Sequence, residues 1–441
     1  MSYRRKKLLA LFCATALSMT AVAGCTGTKS STGNVVSSET ETNAEETSAQ
    51  SEAGTFSSAD MFTERDLAGT YEESGAVYVT LSDDGITGET DGVAINGQMV
   101  TITAEGTYIF SGTLSEGQIV VDADNAKVQI VFDNVDITCA SSAAVYVKSA
   151  EKVFVTLAEG SQNTLRNTDE YVAIDDNNID AVIFSKSDLT LNGTGSLTIV
   201  SAEGHGIVSK DDLKITGGTY DITAAGHALS GKDSVRIADG TYTLATGDDG
   251  VHADDALIVN GGTITVTESY EGLEGLTVTI NDGTIDITAS DDGINTAGEK
   301  MELNGGYIHI LAGGDGVDSN GDLTINGGEI YIDGPSDNGN SAIDYGDRSS
   351  AYVNGGTLVA IGSSGMAEGM SDSSKQKVLM VKLGEQMEAG DVVLTDSEGN
   401  VIVSYTALKT YDCVIISIAE VESGATYTLT TSGTTTEVTA E

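Results

Sequence analysis

The chain is expected to fold as an all-β protein, a right-handed parallel β-helix with three strands per ~22-residue coil and a small C-terminal β cap. Three observations carry that expectation. One short phrase recurs at a nearly fixed period through the second half of the chain. Apolar residues alternate with polar ones in runs of three to six, the period of a half-buried strand. The composition is rich in Thr, Val, Ile and Gly, with 53 glycines, one proline and few helix-forming runs.

The elements follow in chain order. Arg4, Arg5, Lys6 and Lys7 precede an apolar stretch, Leu8 to Val22, that is short for a membrane span and has the layout of an export signal. Val22-Ala23-Gly24-Cys25 resembles the bacterial lipobox. That resemblance implies removal of residues 1–24, acylation of Cys25 and a protein held on the outer face of the cytoplasmic membrane. Residues 25–58 are mainly Ser, Thr, Glu, Gly, Ala and Asn, too poor in apolar matter to offset the entropy of ordering, and read as a flexible spacer. Of the 21 basic residues four lie in the leader, leaving 17 against 67 acidic ones, a formal charge of −50 beyond it. Such a charge excludes nucleic acid as a partner and repels any polyanion unless cations mediate. Cys139 and Cys413, far apart in the chain, define no disulfide framework. The lack of tryptophan argues against a flat aromatic platform for sugars.

The solenoid is expected over residues 76–374. Its phrase reads Leu213-Lys-Ile-Thr-Gly-Gly, Leu257-Ile-Val-Asn-Gly-Gly, Met301-Glu-Leu-Asn-Gly-Gly and Leu323-Thr-Ile-Asn-Gly-Gly. The residues before the glycines, 216, 238, 260, 281, 304, 326 and 354, are spaced 22, 22, 21, 23, 22 and 28, so one coil length serves with an insertion near Pro335. Upstream, Ile102, Val128 and Val153 head longer coils. Stacking aligns Tyr220, Tyr242, Ile264, Ile285, Ile308, Ile330 and Leu358 in one inward column and Ile222, Leu244, Val266, Ile287, Ile310, Ile332 and Ala360 in another. Asn260, Asn281, Asn304, Asn326 and Asn354 fall at one corner as an asparagine ladder, with glycines supplying positive φ beside it. From residue 375 to 441 the period is lost, and separate strands read as a cap on the open end of the helix.

A second column is acidic. His205, His227, Asp249, Glu271, Asp292 and Asp315 each stand two places before an apolar residue in the loop between second and third strands, with Asp248 and Asp291 just before the column and Glu274 and Asp318 just after it. Coils stack ~4.8 Å apart, so consecutive carboxylates repel by about 1 kcal/mol per pair in water and by several times that where partly shielded. Oxygen ligands on glycine loops suit calcium, and Asp248, Asp249, Glu271, Glu274, Asp291, Asp292, Asp315 and Asp318 are the candidate ligands. The four histidines, His205, His227, His252 and His309, are too scattered for a metal site or a triad and read as surface residues.

The order of Val100-Thr-Ile-Thr-Ala-Glu-Gly-Thr-Tyr-Ile-Phe-Ser-Gly-Thr-Leu, Gly117-Gln-Ile-Val-Val-Asp-Ala, Val145-Tyr-Val-Lys, the Asp-Asp-Gly-Ile loops and the ending Thr426-Tyr-Thr-Leu resembles the secreted carbohydrate-binding domain-containing lipoproteins of Gram-positive bacteria. The resemblance implies a β-helix shaped like polysaccharide lyases, bound calcium and affinity for plant cell-wall polysaccharide, acidic pectic sugars included. Three functions compete: a calcium-dependent polysaccharide-binding protein, a polyuronate lyase, and a surface adhesin or scaffold. A lyase needs Arg or Lys beside the acidic loops, and Lys210, Lys232 and Arg236 are poor candidates. No catalytic residue is assigned, and a monomer is expected.

Overall fold

The computed structural model describes residues 61–440 apart from Asp347. The leader, Cys25 and the Ser/Thr/Glu-rich spacer lie outside the described residues.

One coil shows how the chain winds. Asp188–Gly193, Ser196–Ser201 and His205–Ser209 form its three sides, and each pairs in parallel with its counterpart one coil on, Asp212–Ile215, Thr219–Ala224 and Leu229–Gly231. Continued along the chain, these pairings build three parallel sheets, here sheets 1, 2 and 3 in that order, wound as a right-handed β-helix. Strand residues alternate inward and outward, so the period of two in the sequence becomes one buried file and one outer file per sheet.

The inward files match the expected columns. Tyr220, Tyr242, Ile264, Ile285, Ile308, Ile330 and Leu358 are consecutive partners in sheet 2, followed two residues on by Ile222, Leu244, Val266, Ile287, Ile310, Ile332 and Ala360. All are buried, and each large aliphatic among them contributes about 2 kcal/mol by leaving water. The two tyrosines stack with ring centroids 5.3 Å apart, and their hydroxyls donate to Gly217 O and Asp239 O at 2.8 and 2.7 Å. They are packing residues, with their polar ends satisfied by the neighbouring corner.

At that corner the asparagines bond along the axis. Asn281 donates to Asn260, Asn304 to Asn281, Asn326 to Asn304 and Asn354 to Asn326, at 2.7, 2.8, 2.7 and 2.9 Å. Glycine is required beside the ladder: Gly328 has φ +88°, and a Cβ there would lie 2.7 Å from Gly306 O. The ladder fails where the sequence reads Thr216 and Ala238, and a strap from the N-terminal end of the described chain takes over. A helical turn, Glu64–Ala68, capped by Thr63, buries Asp66 against sheet 1. The Asp66 carboxylate accepts from Lys152 Nζ at 2.6 Å and Thr190 Oγ1 at 2.7 Å, while its backbone carbonyl accepts from Asn192 and Thr216. Burial opposes ionisation of Asp66, but the hydrogen bonds from Lys152, Thr190 and Thr63 prevail and hold it down at about 2.

At the other end Tyr411–Ser417 lies antiparallel on Thr357–Gly362, the last strand of sheet 2, and Leu379–Met387 pairs with it in turn. A separate four-stranded antiparallel sheet follows, built from Gly390–Thr395, Val401–Ala407, Thr426–Thr431 and Thr434–Thr439. Tyr411–Ser417 thus covers the last parallel edge of sheet 2, and Leu379–Met387 becomes its outer strand.

Candidate functional site

The acidic column is a hydrogen-bonded ladder at the corner between sheets 2 and 3. Each side chain accepts the backbone N–H of the column residue one coil on: His205 Nδ1 from His227 N (2.9 Å), His227 Nδ1 from Asp249 N (3.2 Å), Asp249 Oδ1 from Glu271 N (3.3 Å), Asp292 Oδ1 from Asp315 N (2.7 Å) and Asp315 Oδ1 from Ser341 N. These short side chains therefore satisfy loop amides that no sheet reaches. Glu271, one methylene longer, turns aside to accept from Asn295 Nδ2 at 2.9 Å.

A second outer file runs beside the first, three residues on. His252, Glu274, Asn295, Asp318 and Asp344 are consecutive register partners in sheet 3. The two files converge into three sets whose ligand-type atoms lie within 4.8 Å of one another: His227, Asp249 and His252; Asp249, Glu271 and Glu274; Asp292, Asp315 and Asp318. Of the eight acids singled out from the sequence, six fall into these sets. Asp248 and Asp291 stand beside them: the Asp248 carboxylate is half exposed, 3.7 Å from His227 Nε2, and Asp291 interacts with the Tyr270 hydroxyl.

The histidines overturn the sequence reading. Three of the four are not scattered: His205 and His227 stack at 4.8 Å, and His227 and His252 at 4.5 Å. Distance along the chain concealed this, because one coil carries residues 22–25 positions apart onto one another. The offset of three that relates Glu271 to Glu274 and Asp315 to Asp318 also relates Asp249 to His252, and that spacing is the signal that could have placed it. His309 is elsewhere, on the outer face of sheet 2 beside Asp286 and Asp333.

The two ends of the column differ in charge. At the histidine end, burial works against both ions. The close contacts of its carboxylate with His227 and His252 nonetheless hold Asp249 well below the ordinary carboxylate range, and the hydrogen bonds of His252 to Asp249, Glu274 and Asp254 raise it to about 10. His205 is pushed down to about 4, by burial and then by His227. At the other end no Lys, Arg or His pairs with Asp292, Asp315 or Asp318 among the described residues. Burial first, then repulsion among themselves and from Asp291 and Asp344, raises Asp292 and Asp315 to about 7 and Asp318 to about 6. Glu271, between the ends, is raised to about 8 by burial and by Glu274, Asp249 and Asp292.

The donor set of this second end fits a hard cation. Three carboxylates offer six oxygens, of which Asp292 Oδ1 and Asp315 Oδ1 already accept backbone N–H groups and Asp318 Oδ2 accepts from Asn320 Nδ2. Calcium takes about 6–8 oxygens, so an ion held here has coordination left for water or for a ligand.

The family described as "Carbohydrate-binding domain-containing protein" matches residues 96–256 and 245–375. A protein of that description from Acetivibrio thermocellus (strain ATCC 27405) is 44% identical over 131 residues, 29% of this chain and 46% of its own length. The chain thus spans under half the length of that relative. A solved structure, described as the polysaccharide lyase-like protein from C. thermocellum in a gadolinium derivative, is 27% identical with a TM-score of 0.45, over 63% of this chain and 99% of its own. The family match extends over more than half of the residues, from the early coils to the end of the solenoid, and the chain belongs to the carbohydrate-binding domain-containing protein family.

Proposed function

We propose that the protein binds an acidic polysaccharide, a pectin-like polyuronate, through calcium held by Asp292, Asp315 and Asp318, while Cys25 tethers it by lipid to the outer face of the membrane. The observation that carries this reading is the uncompensated carboxylate set. Three acids from two adjacent coils face one another without a basic partner among the described residues, and two of them are raised to about neutrality. A divalent ion relieves that repulsion and presents open positions to a uronate carboxylate. A chain of formal charge −50 beyond its leader needs such a bridge to approach a polyanion.

The placement of the basic residues favours binding over cleavage. A lyase needs a base next to the bound ion, yet Lys210 Nζ faces Asp180 at 4.0 Å and the Phe184 ring, and Arg236 lies on sheet 1 against Asp212. The test is retention on immobilised polygalacturonate and on neutral glycans, with calcium and with chelator, while unsaturated products are followed by ultraviolet absorbance. Calcium-dependent retention lost in Asp292→Asn/Asp315→Asn, without product, is expected. Undiminished retention in chelator refutes the calcium bridge, and steady release of unsaturated oligouronides makes the protein a lyase.

A further inference from the structure

We infer that the histidine end of the column is a second metal site of different chemistry, which takes a borderline divalent transition ion such as zinc through His227, Asp249 and His252. Nδ1 of His227 lies 3.1 Å and Nδ1 of His252 3.2 Å from the same atom, Asp249 Oδ2, and an ion bound there takes over the His227 lone pair that otherwise accepts the Asp249 N–H at 3.2 Å. Donors around an ion with ~2.1 Å bonds stand roughly 3.4 Å apart in a tetrahedron, so both contacts are already near the required span. Asp249 is 4% exposed and points inward, with its second oxygen fixed by the Glu271 amide.

The outer shell supports the assignment independently. A histidine that binds metal through one ring nitrogen characteristically sets the other against a carboxylate. His252 Nε2 is hydrogen-bonded to Asp254 Oδ1 at 3.1 Å, whereas His227 Nε2 stands 3.7 Å from Asp248 Oδ2, beyond hydrogen-bond reach. The two rings stack at 4.5 Å with 16° between their planes, so closure on an ion requires rotation of the half-buried His252 ring about χ2. Glu274, now against His252 Nδ1, is the natural fourth ligand. Nitrogen donors distinguish this end from the all-oxygen set of Asp292, Asp315 and Asp318: imidazole favours zinc, nickel or copper, and carboxylates alone favour calcium. One column would thus hold two different ions a few coils apart.

The experiment uses the metal-stripped full chain, equilibrated with Zn²⁺ in the presence of excess Ca²⁺. Bound zinc is counted by atomic emission and its shell read by X-ray absorption; Co²⁺ absorption in the wild type gives a second reading that needs no variant. About one zinc per chain with imidazole scattering is expected. His227→Gln and His252→Gln should each weaken binding by ~10–100-fold, and Asp315→Asn should leave it unchanged. Zinc without imidazole in its shell, zinc expelled by calcium, or equal binding by wild type and both folded histidine variants overturns the inference. Calcium binding measured on the same proteins reports on the other end, so the two sites can fail separately.

Discussion

Asp315→Asn is the most discriminating perturbation of the acidic column, because the amide keeps the oxygen that accepts the Ser341 N–H and removes only the charge. Burial and the charges of Asp292, Asp344 and Asp318 raise the folded carboxyl to about 7 from an ordinary 3.8. An acid whose folded pKa is raised favours the native state while it is protonated. That stability is present below about pH 4 and is lost as pH rises through about 7. At 1.36 kcal/mol per pH unit the loss would be on the order of 4 kcal/mol. Relaxation of the neighbouring acids and solvent screening bring it to about 2 kcal/mol. In chelator at pH 8 the variant should therefore be about 2 kcal/mol more stable than the wild type, a rise of roughly 2–4 °C in Tm for a domain of this size. With calcium at a hundred times its Kd the wild type gains about 2.7 kcal/mol and the order reverses. Thermal melts of both proteins at pH 5 and pH 8, with and without calcium, measure all of this. A variant less stable than wild type in chelator at pH 8, or one with the wild-type response to calcium, would refute the reasoning.

Three further outcomes are expected. Asn304→Ala removes two ladder bonds of 2.8 and 2.7 Å and leaves its neighbours unpaired, which should cost about 2 kcal/mol in urea unfolding. Asp66→Asn strands Lys152, whose side chain is 10% exposed, and should cost about 3 kcal/mol; in the wild type the Asp66 contribution is present above about pH 4 and lost as pH falls through about 2, a dependence the variant should lack. Gly328→Ala, with φ +88° and Gly306 O in the way, should destabilise by at least about 2 kcal/mol, and a wild-type melting temperature would show that the corner relaxes easily.

The solenoid was legible because its signal repeats. Coil after coil presents the same inward pair and the same Asn-Gly-Gly corner, so an error at Thr216 or Ala238 is outvoted by Asn260, Asn281 and Asn304. The strap was not legible, since it occurs once and its capping residues, Thr63 and Asp66, sit in a short stretch next to a spacer. The column could be aligned from sequence, but its pairing could not. Whether His252 belongs to the strand or to the site depends on which way its ring turns, and the short offset from Asp249 was overshadowed by the long separation from His205. Likewise Asp248 and Asp249 are adjacent acids with different fates, because alternation sends one outward and the other into the corner.

The strap has a mechanical consequence. From Met61 to Thr70 it crosses sheet 1 against the direction of winding: Arg236 holds Met61 O, Thr216, Asn192, Thr190 and Lys152 hold Asp66, Arg65 lies over the Phe154 ring, and Gln129 holds Thr70 O. A pull on the chain ahead of Met61 therefore does not peel Val77–Leu81 off the end of the solenoid one hydrogen bond at a time. It loads a row of contacts on five coils in shear, beginning in the interior of the stack, and the terminal strand feels the force only after that row has given way.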